Sequence, residues 1–332
     1  MTDSMHPALL DVTGLSVSID NRKIVDGLSF SIRRGEILAI VGESGSGKSL
    51  TLLALARLLP PAARLSAGSV ILEGRDLAEV SEAEMGNVRG KSLSLIFQEP
   101  SSSLDPLMTI GNQLIEAVLA HHQMARSQAR AKAIAMLRAV GIADPERRMD
   151  QYPFEFSGGM CQRVMIAMAL ICNPALLLAD EPTTALDVTI QAQILDLIRQ
   201  MRKETGTAVL LITHDIGVVA EMAERVLVMY AGKIVEEALI DDLLDHPRHP
   251  YTQLLLKSLP SLEGEPKSEL ATIAGSVPAV GLMLPGCRFA PRCPLAKARC
   301  HAEEPNLVTV AEAHSSACWY SDDVATLAGA LT

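Results

Sequence analysis

The chain has 332 residues, with 29 Lys and Arg against 39 Asp and Glu, so its formal net charge is −10. This length exceeds one average domain and predicts a large domain with an appendage, or two domains. Hydrophobic residues make up 48% and charged residues 20%, a balance that excludes wholesale disorder. The negative charge argues against a nucleic-acid partner, because phosphate backbones bind basic surfaces.

No apolar run reaches the roughly 18 residues that a membrane-spanning helix needs. The nearest approach, at residues 164–172, ends at Asn173-Pro174. Residues 1–10 lack the basic stretch and apolar core of a signal peptide, so we expect the protein to stay in the cytoplasm.

Apolar patterning predicts alternating strands and helices over the first 238 residues. Strands are predicted at residues 28–32, 37–41, 69–72, 92–97, 175–179 and 208–212, with a hairpin at 225–236. Helices are predicted at residues 50–59, 110–118, 133–140, 158–172 and 190–201. This alternation indicates an α/β fold with a mainly parallel sheet. After about residue 239, Pro, His and Cys become more frequent and periodicity fades, which predicts a separate C-terminal segment.

A glycine-rich loop follows the second of these strands. Residues 42–49, Gly-Glu-Ser-Gly-Ser-Gly-Lys-Ser, fit the pattern G-x-x-x-x-G-K-[ST] between a buried strand and a helix. The glycines let backbone N–H groups curl around phosphate oxygens, and the helix directs its positive end at the same anion. Lys48 would reach the β- and γ-phosphates, and the Ser49 hydroxyl would ligate Mg²⁺. All fixed positions are present, so a phosphate site is favoured over a flexible turn.

Polar residues follow three other predicted strands. Asp180 and Glu181 end the run at residues 176–179, where Asp180 can hold Mg²⁺ through water and Glu181 can orient or deprotonate the attacking water. His214 follows a strand at the edge where ligands gather in parallel sheets, which favours contact with the γ-phosphate. Gln98 ends another strand, where its amide would touch Mg²⁺ or the attacking water. Each alone is also compatible with an ordinary polar strand end.

These motifs, with Phe156-Ser157-Gly158-Gly159-Met160 and Ala185-Leu186-Asp187, resemble in kind and order the ATP-binding subunit of an ATP-binding-cassette (ABC) transporter. The resemblance covers about residues 8–238. It implies an α/β P-loop NTPase (RecA-like) ABC nucleotide-binding domain with an antiparallel β subdomain, a helical subdomain and a cysteine-containing C-terminal extension. By the same resemblance, the Ser-Gly-Gly segment binds the γ-phosphate of the ATP held by a second subunit. A serine N-cap and bare glycine N–H groups at a helix start suit an anion.

The resemblance implies a division of the chain and a set of site residues. The nucleotide-binding core occupies 1–98 and 173–238, the helical subdomain 99–172, and the C-terminal extension 239–332. Nucleotide contacts are expected from Gly42, Ser44, Gly45, Gly47, Lys48, Ser49, Thr51, Ser157, Gly158, Gly159, Asp180 and Asp187. Mg²⁺ is expected at Ser49, Gln98 and Asp180, and catalysis from Glu181, His214 and Gln98. Ile19 lies where the family usually stacks an aromatic ring on adenine, so the base would be held by apolar contact alone.

Three features resemble dipeptide and oligopeptide importer subunits in particular: Met160 after Phe-Ser-Gly-Gly, residues 99–106 (Glu-Pro-Ser-Ser-Ser-Leu-Asp-Pro), and residues 246–252 (His-Pro-Arg-His-Pro-Tyr-Thr). The resemblance implies ATP-driven uptake of peptides, with the chain bound peripherally at the cytoplasmic face of the inner membrane. The implied partners are a second ABC ATPase subunit, preferably a paralogue, two integral-membrane permeases and an extracytoplasmic peptide-binding protein. Residues 98–105 would pass motion to the permeases. Import of nickel or another small solute is an alternative, as is a soluble ABC ATPase acting on ribosomes or DNA.

The C-terminal extension contains four cysteines: Cys287, Cys293, Cys300 and Cys318. In a cytosolic chain such a group favours a metal site over disulfides. The absence of a C-x-x-C pair counts against zinc, whereas the loose spacing is compatible with a [4Fe–4S] cluster, which some peptide-importer ATPase subunits carry in this region. We expect the cluster, with zinc or four free thiols as alternatives. Arg288, Arg292 and Arg299 would offset its negative charge, and Cys161 is expected to be an inert helix residue.

Overall fold

Contacts in the computed structural model divide the chain into two units, and the chain passes repeatedly from one to the other. The structure describes residues 8–99, 103–183, 186–258, 273–278 and 285–326. The signature unit comprises Met1–Asp11, Ser31–Ile37 and Ile71–Leu211, and the loop unit comprises Val12–Phe30, Leu38–Val70 and Ile212–Thr332. Across the described residues, no helix is long and apolar enough to cross a membrane.

Strands and helices alternate through most of the described chain. The strands are β1 (Leu10–Ile19), β2 (Arg22–Ile32), β3 (Ile37–Val41), β4 (Ala63–Leu72), β5 (Arg75–Asp76), β6 (Leu93–Ile96), β7 (Leu176–Asp180), β8 (Ala208–Ile212), β9 (Arg225–Tyr230), β10 (Lys233–Leu239), β11 (Val308–Ala311) and β12 (His314–Ser316). The helices are α1 (Lys48–Leu55), α2 (Glu82–Val88), α3 (Ile110–Leu119), α4 (Arg126–Ala139), α5 (Pro145–Arg148), α6 (Gly158–Leu170), α7 (Val188–Thr205), α8 (Ile216–Met222), α9 (Ile240–Asp245), α10 (Pro250–Lys257) and α11 (Ala298–Ala302).

In the loop unit, a sheet supports the glycine-rich loop. β3 is buried at every position and pairs in parallel with β9, with Val41 opposite Val228. β9 and β10 form an antiparallel hairpin whose turn residues, Ala231 and Gly232, both have positive φ, as type I′ turns require. β10 pairs with β12, and β12 with β11. The C-terminal strands therefore extend the sheet that supports the loop.

In the signature unit, β6 and β7 pair in parallel, with Leu93 opposite Leu176 and Ile96 opposite Ala179. β8 lies on the other side of β7. Helices α3, α4 and α6 pack against one another. Gly141 follows α4 with a φ of 75°, the left-handed conformation expected of a glycine that ends a helix.

Most predicted elements are present, and the differences have physical causes. The predicted strands at Ile37–Val41 and Ala208–Ile212 are confirmed to the residue. Helix α1 ends at Leu55 instead of residue 59, because Arg57 takes a positive φ of 54°. Strand β1 is not predicted from the sequence, because its alternation of apolar residues shifts by one position at Gly14. The division of the chain at residues 98, 172 and 238 stays a prediction.

Candidate functional site

The glycine-rich loop leaves β3 and enters α1 at Lys48. Gly42 has a φ of 152°, and a Cβ atom there would lie 2.1 Å from the carbonyl oxygen of Met229 on β9. Gly47 precedes the helix with a φ of 102°. Both positions therefore require glycine, the first because the loop backbone lies against β9 and the second because of its left-handed conformation.

The ammonium group of Lys48 lies across the loop. Its Nζ donates to the carbonyl oxygens of Gly42 at 2.8 Å and Glu43 at 3.0 Å, and to Ser46 Oγ at 3.4 Å. The carbonyl oxygen of Ser46 in turn accepts the N–H of Gly232, in the β9–β10 turn, at 2.9 Å. A positive charge is thus fixed at a loop whose shape is set by the neighbouring hairpin.

The other predicted nucleotide contacts in the loop unit differ in exposure. Ser44, Gly45 and Ser49 are exposed and accessible to a ligand. Thr51 is fully buried, and its hydroxyl donates to the carbonyl oxygen of Gly47 at 3.0 Å. His214 follows β8 and is exposed. Ile19, the last residue of β1, is half-buried.

In the signature unit, the structure brings together three predicted site residues. The amide Nε2 of Gln98 donates to Oε2 of Glu181 at 3.2 Å. The two residues follow β6 and β7, whose carboxyl ends lie at the same edge because the strands are parallel. Asp180 is the last residue of β7, and Glu181 has a φ of 48°, uncommon for a residue other than glycine. An amide and a carboxylate therefore meet at the strand ends, and Asp180 directly precedes that carboxylate in the chain.

The Ser-Gly-Gly segment begins helix α6 as predicted. Ser157 is the N-cap, and its Oγ accepts the N–H of Met160 at 3.4 Å. Ser157 and Gly158 are exposed, and a Cβ atom on Gly158 would meet nothing within 4 Å. The helix behind them is anchored by buried apolar residues. A second molecule can therefore approach free N–H groups at a fixed helix start.

Gln162 is a residue of this region that sequence reasoning missed. It is 1% exposed, and its Nε2 donates to the carbonyl oxygen of Pro182, directly after Glu181. This hydrogen bond connects helix α6 to the segment that follows β7. Further along this segment, Asp187 caps α7 by accepting the N–H of Ile190 at 3.1 Å. Ala185 lies outside the described residues.

Cys161, inside α6, is buried, and its Sγ lies 3.5 Å from the carbonyl oxygen of Pro153. Burial raises the pKa of the Cys161 thiol above its usual value. The thiolate is therefore scarce at neutral pH, as expected of an inert helix residue.

One cavity of the loop unit is lined by all four C-terminal cysteines, together with His249, Phe289 and Trp319. Burial raises the pKa of Cys293 to about 11 and that of Cys318 to about 12, and the neighbouring thiols act in the same direction. Within the described ranges, no three His, Cys, Asp or Glu side chains are grouped so that they can hold a metal ion. The expected metal site therefore has no support from side-chain positions beyond the shared cavity.

The three arginines among these cysteines have other partners. Each guanidinium is paired with a carboxylate: Arg288 with Asp26, Arg292 with Glu43 and Arg299 with Glu303. The sequence alone suggests that these arginines offset the charge of a cluster. In the structure, their charges are instead compensated by these carboxylates. One of these partners, Glu43, belongs to the glycine-rich loop.

Two family models match the chain: "ABC transporter" at residues 25–184, and "Oligopeptide/dipeptide transporter, C-terminal region" at residues 235–300. The chain is 51% identical to the probable peptide ABC transporter ATP-binding protein y4tR of Sinorhizobium fredii, over 96% of this chain and 97% of that protein. It is 47% identical to the oligopeptide transport ATP-binding protein AppD of Bacillus subtilis, over 95% of this chain and 97% of that protein. The chain belongs to the ABC transporter ATP-binding protein family.

Solved ABC structures share the fold. A dimeric post-hydrolysis state of the ATP-binding cassette MJ0796 bound to ADP and Pi superposes with a TM-score of 0.63 at 27% identity, covering 70% of this chain and 98% of that one. The cbiO1 protein of Clostridium perfringens, part of the transporter complex cbiONQ, superposes with a TM-score of 0.60 at 25% identity, covering 71% of this chain and 90% of that one. The predicted fold class, an ABC nucleotide-binding domain of the P-loop type, is confirmed.

The family's motifs are divided between the two units. The loop unit holds the Walker A loop at 42–49 and His214, and the signature unit holds Gln98, the signature at 157–159 and the Walker B end at 180–181. The prediction of an ABC ATPase chain with a C-terminal region of the peptide-transporter type is confirmed. The roles of individual residues stay predictions.

Proposed function

We propose that this chain binds and hydrolyses ATP and thereby powers the import of dipeptides or oligopeptides by an ABC transporter. The observation that carries the proposal is the presence, in one chain, of a phosphate loop built around Lys48 and a C-terminal region of the oligopeptide/dipeptide transporter type. Relatives whose names specify peptide, oligopeptide and dipeptide transport match at least 95% of the chain. The permeases, not this chain, would contact the peptide.

ATP would be held by the loop and hydrolysed at the ends of β6 and β7. The loop N–H groups and Lys48 suit the β- and γ-phosphates, and the exposed Ser49 hydroxyl suits Mg²⁺, with Asp180 as its water-mediated partner. Glu181 would orient the attacking water. Its hydrogen bond with Gln98 supports a joint role for the two side chains, and His214 would contact the γ-phosphate.

The nucleotide-binding site would be completed by a second ABC ATPase subunit, preferably a paralogue. The Ser157-Gly158-Gly159 segment supports this, because Ser157 and Gly158 are exposed and its N–H groups suit the γ-phosphate of an ATP held by that subunit. Contacts from both sides would close the pair when ATP binds, and hydrolysis would remove them and let it open.

Membrane permeases would dock on the signature unit. Large apolar side chains are exposed there: Leu107 is 85% and Phe154 74% exposed, and the ring of Tyr152 stacks on that of Phe154 at 5.4 Å. Such side chains are unusual on a free surface and suit apolar partners. Leu107 follows the predicted transmission segment at 98–105, of which residues 100–102 lie outside the described part of the chain. The protein would thus sit at the cytoplasmic face of the inner membrane, with a peptide-binding protein on the other side.

The four C-terminal cysteines would hold a [4Fe–4S] cluster of structural role. Four thiols that line one cavity provide the donor set of such a cluster. A cluster is larger than an ion and spaces its ligands farther apart, so thiols that are not grouped around one ion can still bind it. About four iron atoms per chain are expected after anaerobic purification, with loss in Cys318→Ser and retention in Cys172→Ser. An iron-free anaerobic preparation would count against the cluster.

Purification of the chain from its own membranes tests the transport proposal. Permease subunits should co-purify, and the complex should hydrolyse ATP faster when binding protein and peptide are added. Lys48→Ala should abolish this hydrolysis, whereas Lys203→Ala, near the end of α7, should not. Co-sedimentation with ribosomes without permeases would favour a soluble ABC ATPase.

A further inference from the structure

Two side chains of the C-terminal region converge on one residue of the Walker A loop. That residue is Glu43, directly after Gly42. Arg292 binds its carboxylate, and the Tyr251 hydroxyl accepts its backbone N–H. All three residues belong to the loop unit. The family's ATP site thus has a contact from outside the cassette, through residues that no nucleotide motif includes.

The contact with Arg292 is bidentate and shielded from water. Nη1 lies 2.7 Å from one carboxylate oxygen of Glu43, and Nη2 lies 3.0 Å from the other. The Arg292 side chain is 5% exposed and that of Glu43 28%. The guanidinium also donates to the carbonyl oxygens of Ile273 and Ala274, at 3.1 and 2.9 Å. Held on several sides, it fixes the Glu43 carboxylate in one place and neutralises its charge.

Tyr251 is equally constrained. Its hydroxyl accepts the Glu43 N–H at 2.7 Å, and its buried ring contacts those of Tyr230 and Phe289, with centroids 4.8 and 5.4 Å away. The backbone N–H of Tyr251 is bound by Nδ1 of His249 at 3.1 Å, and this histidine caps α10. The hydroxyl is therefore aimed at the loop by a packed aromatic cluster and a capped helix.

Glu43 in turn contacts Lys48, the lysine expected to bind phosphate. Its carbonyl oxygen accepts the Ser46 N–H at 3.2 Å and Nζ of Lys48 at 3.0 Å. The C-terminal region thus holds the side chain and the backbone N–H of Glu43. The carbonyl oxygen of the same residue binds the loop at Ser46 and the ammonium group of Lys48. Without the arginine, a carboxylate in the phosphate loop would keep its full charge and repel a triphosphate.

We propose that Arg292 and Tyr251 are positioning residues of the ATP site, which act through Glu43 and make nucleotide affinity depend on the C-terminal region. The proposal rests on the proposed function insofar as the loop must bind ATP. Arg292 neutralises Glu43 and fixes its side chain, while Tyr251 fixes its backbone. In this role neither residue would touch the nucleotide itself.

Arg292→Ala tests the charge effect in the full-length chain. A fluorescent ATP analogue with Mg²⁺ should bind about tenfold more weakly than to wild type. Adding Glu43→Gln should bring the affinity back to within about twofold of wild type, because the uncompensated charge is gone. Arg299→Ala, in the same region but paired with Glu303, is the matched control and should bind normally.

The outcomes separate the proposals. If wild type binds the analogue and Arg292→Ala binds it equally well, the positioning role is wrong while the ATP function stands. If affinity falls but Glu43→Gln does not restore it, the arginine acts only by folding the C-terminal region, and the positioning role is again wrong. If wild type itself binds no nucleotide, the proposed function fails first.

Tyr251→Phe gives a second, milder test because it keeps the aromatic packing. The KM for ATP should rise about threefold to tenfold while kcat stays within about twofold, since only the support of the Glu43 N–H is lost. Tyr320→Phe, whose residue lies outside the aromatic cluster with Tyr230 and Phe289, should leave both constants unchanged. An unchanged KM in Tyr251→Phe would contradict the role of its hydroxyl.

Discussion

Gln98 and Glu181 are 83 residues apart in the chain, yet the amide of the first donates a 3.2 Å hydrogen bond to the carboxylate of the second. The contact follows from the parallel pairing of β6 and β7, which places the residues after both strands at one edge. Because Glu181 also has a φ of 48°, its side chain leaves the strand in a direction that regular extended backbone would not give. These two residues are the centre of the proposed hydrolysis.

Glu181→Gln should separate ATP binding from hydrolysis. The amide keeps the size and one oxygen of the carboxylate but cannot take up a proton, so hydrolysis should fall about 10²- to 10⁴-fold while ATP affinity stays near wild type. Phosphate release at saturating ATP and binding of a fluorescent analogue measure the two effects. Glu204→Gln, at the exposed end of α7, is the control and should behave as wild type. Undiminished hydrolysis in Glu181→Gln would refute the assigned role.

Ser157 should have two separable effects, as a helix cap and as an anion contact. Ser157→Ala removes the N-cap of α6 and should lower the free energy of unfolding by about 1 kcal/mol. Ser157→Asp keeps a capping oxygen but places a negative charge where the partner's γ-phosphate would bind. This variant should unfold like wild type yet lose ATP-dependent hydrolysis in the assembled transporter. Full hydrolysis by Ser157→Asp would argue against the anion contact.

Glu236→Ala should strongly destabilise the loop unit. The Glu236 carboxylate is completely buried and is bound by the N–H groups of Arg248 and His249 and by the ring of His314, the last at 2.7 Å. Removing it leaves these groups without a partner, at a cost of about 3–5 kcal/mol in the free energy of unfolding. Urea denaturation measures this. Glu237 lies next to Glu236 on the other face of β10, and Glu237→Ala should lower the free energy of unfolding by only about 1 kcal/mol. Equal destabilisation by the two substitutions would contradict the role of the buried Glu236 carboxylate.

Cys161 and Cys172 should resist alkylation in the folded chain. Burial raises the pKa of both thiols, so the thiolate form that reacts with iodoacetamide is scarce at pH 8. The rate of alkylation should rise about tenfold per pH unit as long as the pH stays below the raised pKa of the thiol. Mass spectrometry of peptides from folded and urea-unfolded protein measures the difference. Rapid labelling of the folded chain at pH 7 would show that burial does not control these thiols.

Much of the cassette can be predicted from the sequence because its signals are local. Continuous apolar runs predict β3 and β8, and the pattern at 42–49 predicts the loop between a strand and a helix. Ser157, followed by two glycines, is predicted as an N-cap, and the structure has it in that position. Each of these features depends on neighbouring residues, so one stretch of chain is sufficient to find it.

The remaining features depend on distant residues and could not be predicted. The pairing of β12 with β10 involves a strand of three residues, too short for any periodic signal. Position in the sequence associates Arg292 with the cysteines beside it, whereas its carboxylate partner, Glu43, lies 249 residues away. The only local hint for Tyr251 was the stretch at 246–252, and nothing in it points to a loop 208 residues earlier.

Peptide uptake by the assembled transporter tests the central claim most directly. The chain would be purified with its permeases, reconstituted in vesicles with ATP on the side of this chain, and supplied with labelled dipeptide and binding protein on the other side. The account predicts uptake that requires ATP, is abolished by Lys48→Ala and Glu181→Gln, and persists in Glu204→Gln. Uptake that continues in the Lys48→Ala complex would contradict it.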